Sequence, residues 1–427
     1  MSALRQRLAR AIYSALLLAL TPLYLLRLWR RGAAEPRYRR RIAERFGYHA
    51  PVARAPLTVW VHAVSLGETQ AAATLISALR QREPSLRLLL TCGTATGWDA
   101  GKRLLREGDL HTWLPYDTPF AVRRFLNRLR PDLGVVMETE VWPNLMHEAR
   151  KRGLPMVLAN ARLSDKSQRH GLRLADLIRP ALQGFTKVLA QTSDDAQRLS
   201  ALGAPHVSIC GNLKFDVEPV PALLDQGRTW RAALDREVVL AASTRVGEEA
   251  ALLTAWTALA QPRPLLLIVP RHPQRFDEVA TLVQQQGLRL ARRSHWGVDP
   301  DPQAAEADVW LGDSLGEMPL YYAAADVALL GGSFEPLGGQ NLIEAAACGC
   351  PVLMGPHTFN FAQAAELSLA ARASLRVVDM AQGVQQAASM AFDPLCQAWS
   401  ARALAFAQAH RGATARSVDH LLALLPR

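Results

Sequence analysis

One carboxylate stands where proton transfer could occur. Glu68 ends the segment HAVSLGE (62–68), which follows an apolar stretch and precedes an alanine-rich one. A strand, a short turn and a helix would place Glu68 in the first helical turn, where free amides and the helix dipole stabilise negative charge. A carboxylate there can act as a general base toward an attacking hydroxyl. Ser65 and Glu68 also fit a Ser-x-x-Glu capping box, so a purely structural role is the alternative interpretation.

A second pair of carboxylates follows another apolar stretch. Glu138 and Glu140 lie two residues apart in METE (137–140), directly after LGVVM. In an extended chain both side chains would point the same way. Such a pair can hold sugar hydroxyls or alter each other's proton affinity. A solvated turn is the alternative.

Three cations also follow predicted strands, namely Lys214 in GNLKFD, Arg245 in ASTRVGEE and Arg271 in VPRHP. Taken together at strand ends, they suit a phosphate group. Helix starts after Ser243-Thr244 and after Gly338-Gly339 could add backbone donors. Taken singly, each cation would be an ordinary surface residue.

The segment GGSFEPLGGQNLIEAAACGCPVLMGP (331–356) joins a glycine-rich loop to a predicted helix. Glycines let the backbone approach a ligand closely. Asn341 and Glu344 are three residues apart, so one helix face presents an amide and a carboxylate. That carboxylate could accept hydrogen bonds from two ribose hydroxyls.

Continuous apolar stretches alternate with helical patterns from residue 57 onward, which indicates parallel sheets covered on both faces. The expected strands lie at 57–64, 86–92, 133–138, 155–161, 187–191, 207–212, 237–244, 264–270, 288–293, 308–313, 326–333 and 351–356. The alternation of apolar stretches and helical patterns stops at 215–235, and we interpret this segment as a linker between two doubly wound units. Ligands of such sheets bind beyond the carboxyl ends of the strands, and with two facing sheets we expect them in the cleft between.

The N-terminal segment predicts membrane attachment. Residues 11–26 carry no charge and are flanked by arginines, but they number sixteen, fewer than the ~20 of a helix that spans a bilayer. Pro22 would kink a helix there. No small-x-small site follows promptly, which disfavours a cleaved signal peptide. The arginine excess after the segment predicts that the rest of the chain lies on the cytoplasmic side. A buried core helix is the alternative.

Charge distribution and cysteine spacing argue against a nucleic-acid binder and against zinc or disulfide sites. Of the net charge of +11, the first 45 residues carry +9, from eleven arginines and two glutamates. The run 37–45 would attract anionic lipid, whereas a nucleic-acid binder would spread its charge along a surface. The five cysteines show no zinc or disulfide spacing. The Asp-x-Asp sequence at 299–301 lies between prolines and indicates a turn, so we expect no metal and no cofactor.

Several strings together resemble one family, the transferases of 3-deoxy-D-manno-octulosonic acid (Kdo). They cover most of the chain in order: VHAVSLGE (61–68), LPYDTP (114–119), METEVWPNL (137–145), ANARLSDKS (159–167), GNLKFD (211–216), VPRHPQRF (269–276), GDSLGEM (312–318), GGSFEPLGGQN (331–341) and EAAACGCPVLMGPHTFNF (344–361).

The resemblance implies a GT-B fold, with two Rossmann-like domains facing across a cleft and an N-terminal membrane-anchor helix. It implies the donor CMP-Kdo, a lipid A precursor as acceptor, and an enzyme at the cytoplasmic side of the inner membrane, in contact with membrane lipid. The expected divisions are an anchor and basic segment (1–46), an acceptor-binding domain (47–220) and a CMP-sugar-binding domain with terminal helices (221–427).

The resemblance also assigns residues. It makes Glu68 the base, with Glu138 and Lys214 stabilising the transition state. The positions that match the CMP-binding residues are Pro270, Arg271, Leu315, Gly316, Glu317, Asn341, Leu342, Ile343 and Glu344.

The sequence departs from the family pattern at four places: Gln340 where histidine is frequent, Leu315 for methionine, Leu342-Ile343 for Pro-Leu, and Leu66 for valine. A sugar-nucleotide epimerase and a non-catalytic glycolipid-binding membrane protein stay open as alternatives.

Overall fold

The protein is described here as a computed structural model covering residues 3–426, and it divides into two compact units. The first unit comprises the chain up to Asp216 and the segment from Arg411 onward, and the second comprises Val217–His410. The expected boundary at 220/221 therefore falls close to the observed one, but the C-terminal segment belongs to the first unit, not the second.

The first unit contains a seven-stranded parallel sheet with strand order β3-β2-β1-β4-β5-β6-β7. Its strands are β1 Thr58–His62, β2 Arg87–Cys92, β3 Leu110–Trp113, β4 Leu133–Met137, β5 Met156–Ala161, β6 Lys187–Ala190 and β7 Val207–Ile209. Its helices are α1 Ala3–Arg31, α2 Leu66–Arg82, α3 Ala95–Lys102, α4 Pro119–Leu129, α5 Pro143–Lys151, α6 Asp165–Arg173, α7 Ala175–Leu182, α8 Ser193–Ala201 and, from the chain's end, α18 Ala413–Leu422.

The second unit contains a second seven-stranded parallel sheet, in the order β10-β11-β9-β8-β12-β13-β14. Its strands are β8 Val238–Thr244, β9 Leu265–Pro270, β10 Leu290–Arg292, β11 Val309–Leu311, β12 Val327–Leu330, β13 Val352–Met354 and β14 Ser374–Arg376. Its helices are α9 Pro221–Ala233, α10 Glu248–Thr257, α11 Phe276–Gln285, α12 Pro302–Ala305, α13 Met318–Ala323, α14 Leu342–Ala347, α15 Ala362–Ala370, α16 Met380–Ala391 and α17 Cys396–Ala409.

The strand order defines where a ligand can enter each sheet. In the first sheet the chain runs outward from β1 to β3 and then returns to add β4 on the other side of β1. The second sheet reverses in the same way between β8 and β12. At such a reversal the two following loops diverge and leave a crevice beyond the carboxyl ends of the strands. Residues after β1, β4, β8 and β12 are therefore the candidates for ligand contact.

The segment 215–235 is not a simple linker. Most of it forms α9, which starts with Pro221 in the first helical turn, a position that proline favours. Trp230 is buried and lies beside the indole rings of Trp296 and Trp310. Gly227 allows close packing, since a Cβ there would lie 2.2 Å from the carbonyl oxygen of Leu320 in α13.

The C-terminal segment is fixed to the first unit by hydrogen bonds and by its apolar face. The Asp216 carboxylate accepts the backbone N–H groups of Gly412 and Thr414. Val418 and Leu421 of α18 are buried in the same core as α2 and β1. A helical pattern in the sequence cannot show which of two domains it will cover, which is why the expectation was wrong here.

The first helix is not a buried core helix, because Leu28 is its only described residue that is buried. It is long and apolar enough to cross a membrane by length and composition. The helix is continuous through Pro22. The basic segment that follows is largely packed on the domain: the Arg37 and Arg41 guanidiniums lie 5.8 and 5.4 Å from the ring centre of Trp98.

Candidate active site

Glu68 lies in the first turn of α2, just after β1. Ser65 caps the helix, and its hydroxyl accepts the Glu68 backbone N–H at 3.4 Å. In return the Glu68 carboxylate accepts the Ser65 hydroxyl at 3.0 Å and the Val64 backbone N–H at 2.8 Å. The capping box is therefore present, and it also fixes the direction of the carboxylate.

The surroundings of Glu68 make its carboxylate more basic than usual. Burial raises the pKa of Glu68, and the negative charge of Glu138 adds to this, whereas the Lys214 ammonium lowers it. Since these effects require proximity, Glu68, Glu138 and Lys214 share one site in the first unit.

Glu138 follows β4 and is held in an unusual backbone conformation. Its φ of 58° lies in the left-handed region, which costs a residue with a side chain of order 1–3 kcal/mol and is common at functional sites. The side chain is buried, and its two oxygens accept Arg162 Nε at 2.9 Å and Lys214 Nζ at 3.3 Å. Glu138 therefore orients two cations at the sheet's reversal point.

Glu140 belongs to the same group, although not through an extended chain. Glu138 and Thr139 form a turn, so the geometry expected from an extended backbone is wrong. Burial, and then the charges of Glu68 and Glu138, raise the pKa of Glu140 to about 7. Glu140 can thus exchange a proton near neutral pH.

Lys214 lies in a short 3-10 turn, Leu213–Asp216, whose position depends on Asn160 at the end of β5. The Asn160 Oδ1 accepts the Leu213 backbone N–H at 3.0 Å, and Asn160 itself has a positive φ of 53°. Asn160 and Arg162 were not predicted as site residues. Both lie at a strand end within ANARLS (159–164), and this placement was the available signal.

In the second unit, Glu248 organises the glycine-rich loop that follows β12. Its buried carboxylate accepts the backbone N–H groups of Gly332 at 2.8 Å, Arg245 at 2.9 Å and Phe334 at 3.2 Å. Burial raises its pKa, and those donors oppose the effect. Gly331 has no room for a side chain, since a Cβ would lie 2.3 Å from the Ser243 carbonyl oxygen.

The predicted CMP-binding residues lie in three segments of this unit. Pro270 ends β9, and the exposed Arg271 donates its backbone N–H to Thr244 O at 2.9 Å. Burial raises the pKa of Glu344, and Arg271 lowers it, so these two side chains are neighbours. Asn341 caps α14 by accepting the Ile343 N–H at 3.2 Å.

The other predicted CMP-binding residues differ in their exposure and in their contacts. Leu315 is 76% exposed, and Gly316 has a φ of 86°. Glu317 is held by Arg293 at 2.8 Å. Leu342 and Ile343 are both buried, so their side chains offer no surface to a ligand.

The three cations fall into two sets. Lys214 lies in the first unit, bound to Glu138. Arg245 and Arg271 lie in the second unit, where burial and then these two charges lower the pKa of His272.

Within residues 3–426 no three His, Cys, Asp or Glu side chains form a group suited to a metal ion.

Comparison with known proteins decides the family. Residues 40–217 match the family model described as 3-deoxy-D-manno-octulosonic-acid transferase (kdotransferase). A 3-deoxy-D-manno-octulosonic acid transferase of Bordetella pertussis is 49% identical over 96% of this chain and 98% of that protein. The chain belongs to the Kdo transferase family. The Haemophilus influenzae transferase of the same name is 37% identical over 88% of this chain and 89% of that protein.

Solved structures of distant proteins share the fold of this Kdo transferase. A Rickettsia africae glycosyltransferase aligns with a TM-score of 0.56 at 13% identity, over 86% of this chain and 98% of that one. A UDP-GlcNAc 2-epimerase from Neisseria meningitidis aligns with a TM-score of 0.54 at 14% identity, over 86% and 99%. At these identities the likeness concerns the fold alone. Two parallel-sheet units of this kind form the expected GT-B fold.

Proposed function

We propose that the chain transfers Kdo from CMP-Kdo to the lipid A precursor lipid IVA, with inversion at the anomeric carbon, in lipopolysaccharide biosynthesis. The observation that carries the proposal is the group Glu68, Glu138 and Lys214 at the reversal point of the first sheet, in a chain of this family. The group combines a carboxylate of raised proton affinity with oriented cations, as a metal-independent inverting transferase requires.

Glu68 takes the proton from the acceptor hydroxyl, whose oxygen then bonds to the anomeric carbon of Kdo. The bond from that carbon to the CMP phosphate breaks through an oxocarbenium-like state, and CMP leaves with the electron pair. Lys214 stabilises the negative charge that develops, because a positioned cation lowers the energy of a charged transition state. Glu138 keeps Lys214 in place through the 3.3 Å ion pair.

The second unit supplies the residues for the nucleotide. Arg271 is an exposed cation for the single phosphate of CMP, and Glu344 is a half-buried carboxylate for the ribose hydroxyls. The loop Leu315–Glu317 and the backbone of Asn341–Ile343 complete the set. CMP leaves with one phosphate, so a metal clamp is needed less than for a diphosphate.

The first helix attaches the enzyme to the cytoplasmic face of the inner membrane. Its exposed apolar side chains are distributed along its whole length, at Leu4, Leu8, Ile12, Leu16, Leu18, Leu20, Leu23, Tyr24, Leu26 and Trp29. Tyr13 donates to the Asp117 carboxylate at 3.0 Å, and the Asn144 side-chain amide donates to the Ser14 hydroxyl at 3.0 Å. A helix bonded to its domain at mid-length cannot cross the bilayer without the domain. It therefore lies in the interface, with its exposed apolar side chains in the lipid.

Transfer of radiolabelled Kdo from CMP-Kdo to lipid IVA tests the function, with product mass giving the number of sugars added. Free Kdo without a glycolipid product would instead indicate an epimerase-like enzyme. Lipid binding without turnover would indicate a binding protein. Unchanged rates after treatment with EDTA are expected for a metal-independent reaction.

A further inference from the structure

A cavity of about 660 Å³ opens beside Glu138 in the first unit. Its floor is apolar and its rim is basic. The apolar lining comprises Val141, Leu158, Leu163, Ile178, Leu182, Leu199 and Leu202. The basic lining comprises Arg162, Lys166, Arg169, His170 and Arg173. This volume is within the range of about 300–1,000 Å³ that small-molecule sites occupy.

The rim owes its charge to one face of α6. Lys166, Arg169 and Arg173 are spaced i, i+3 and i+7, which places them along a single side of the helix. All three are exposed, and within residues 3–426 no ion pair is formed by any of them. The acidic residue of the same helix, Asp165, pairs with Arg198 at 2.9 Å and does not neutralise the rim.

The charge balance at the cavity is positive. Among its described lining residues, Arg162, Lys166, Arg169 and Arg173 carry +4, and Glu138 carries −1, which leaves +3 with histidine neutral. A free phosphate would gain nothing from the leucine floor, and a neutral lipid would gain nothing from the rim. A phosphorylated amphiphile fits both.

We infer that this cavity binds the acceptor, with a phosphate of the glycolipid at the basic rim and the first part of one acyl chain against the leucine floor. The inference rests on the proposed function and names residues that select its acceptor. Arg162 connects the two sites, because it lines the cavity and donates to Glu138 at 2.9 Å. Binding at the rim thus orients the glycolipid beside the cluster of carboxylates formed by Glu68, Glu138 and Glu140.

The rim is tested with the triple variant Lys166→Ala/Arg169→Ala/Arg173→Ala. The matched control is Arg54→Ala/Arg103→Ala/Arg106→Ala, which removes three exposed charges outside the cavity. Losing a charged phosphate contact should raise the KM for lipid IVA at least about tenfold in the triple variant. The KM for CMP-Kdo and the kcat should stay within about twofold, and the control should match the unmodified enzyme.

A dephosphorylated acceptor completes a double-mutant cycle. The triple variant should lose nothing further on this substrate, because the phosphate that it would contact is gone. An equal loss on both acceptors, or equal KM values for the triple variant and the control, would overturn the inference. An equal loss of binding to phosphatidylglycerol vesicles would assign the rim to bulk anionic lipid and would also overturn it.

The floor is tested with Ile178→Gln, a half-buried lining residue, against Leu172→Gln, which is 46% exposed and lies outside the cavity. The first variant should raise the KM for acylated lipid IVA and leave that for its fully deacylated, phosphorylated disaccharide unchanged. Equal effects on the two acceptors would contradict an acyl-chain site. Absence of any transfer by the unmodified chain is a separate result, which would refute the proposed function rather than the cavity's role.

Discussion

The dual position of Glu68, in a capping box and in the proposed reaction, can be resolved by two substitutions at that one residue. Glutamine at the third helical position retains a capping box. Glu68→Gln therefore keeps an acceptor oxygen for Val64 N–H and gains an amide N–H that can donate to Ser65 Oγ, but it removes the base. Glu68→Ala removes both the side-chain cap and the base. The two variants thus separate stability from chemistry.

The two substitutions should have different effects on the melting temperature but similar effects on kcat. Loss of a helix-start cap costs about 1 kcal/mol and at most about 2, so Glu68→Ala should lower the melting temperature by roughly 2–8 °C. Glu68→Gln should stay within about 2 °C of the unmodified chain. General-base catalysis contributes about 10²–10⁴-fold, so both variants should lose at least about 100-fold in kcat.

The assay is single-turnover transfer of labelled Kdo to lipid IVA, with CMP binding measured by calorimetry in parallel. Both variants should bind CMP like the unmodified protein. The rate should also fall on acidification, because a base works only when deprotonated. Since burial raises the pKa of Glu68, that fall should begin at higher pH than an ordinary glutamate would give. If Glu68→Gln keeps more than a tenth of the rate, Glu68 is only a cap and the mechanism is wrong.

Three further predictions concern neighbouring groups. Glu68→Gln removes a negative charge that raises the pKa of Glu140, so Glu140 should titrate below about 7 in that variant when its carboxyl group is followed by 13C NMR. An unchanged titration of Glu140 would contradict the coupling. Lys214→Ala should lower kcat about 10²–10³-fold in the same transfer assay, with little change in the KM for CMP-Kdo, and a near-normal kcat would remove it from the mechanism. Glu248→Ala leaves three backbone N–H donors without their acceptor, so it should lower the free energy of unfolding of the second unit by about 3 kcal/mol. Urea unfolding measures this change. A change below about 1 kcal/mol would show that the glycine-rich loop does not depend on Glu248.

Much of the architecture was predictable because buried parallel strands leave a strong signal. LTVWVHAV and PLLLIVP are continuous apolar runs, and both form central strands. The strands that were missed, Leu110–Trp113 and Ser374–Arg376, are short. The first is the edge of its sheet and contains His111, and the second is an edge strand with an exposed Arg376. An edge strand needs no continuous apolar run, so the sequence signal was too weak at these two edges, although the opposite edges, β7 and β10, were predicted.

The candidate site was predictable only in part, for a related reason. Glu68, Glu138 and Arg245 follow strands that flank a reversal of strand order, and a parallel sheet brings the ends of such strands together. That rule needs no knowledge of side-chain contacts. Which cation meets Glu138 is a different matter, because it depends on the turn that carries Lys214 and on the exit of β5.

Asn160 illustrates what the sequence leaves out. Its left-handed backbone and its side-chain oxygen together fix the turn before Lys214, and neither property is visible in a string of letters. An asparagine tolerates this conformation better than most residues, so the type is consistent but not diagnostic. The candidate site therefore depends on two kinds of residue. Strand ends supply the charged side chains, and the residues that bend the chain at those ends decide which of them meet.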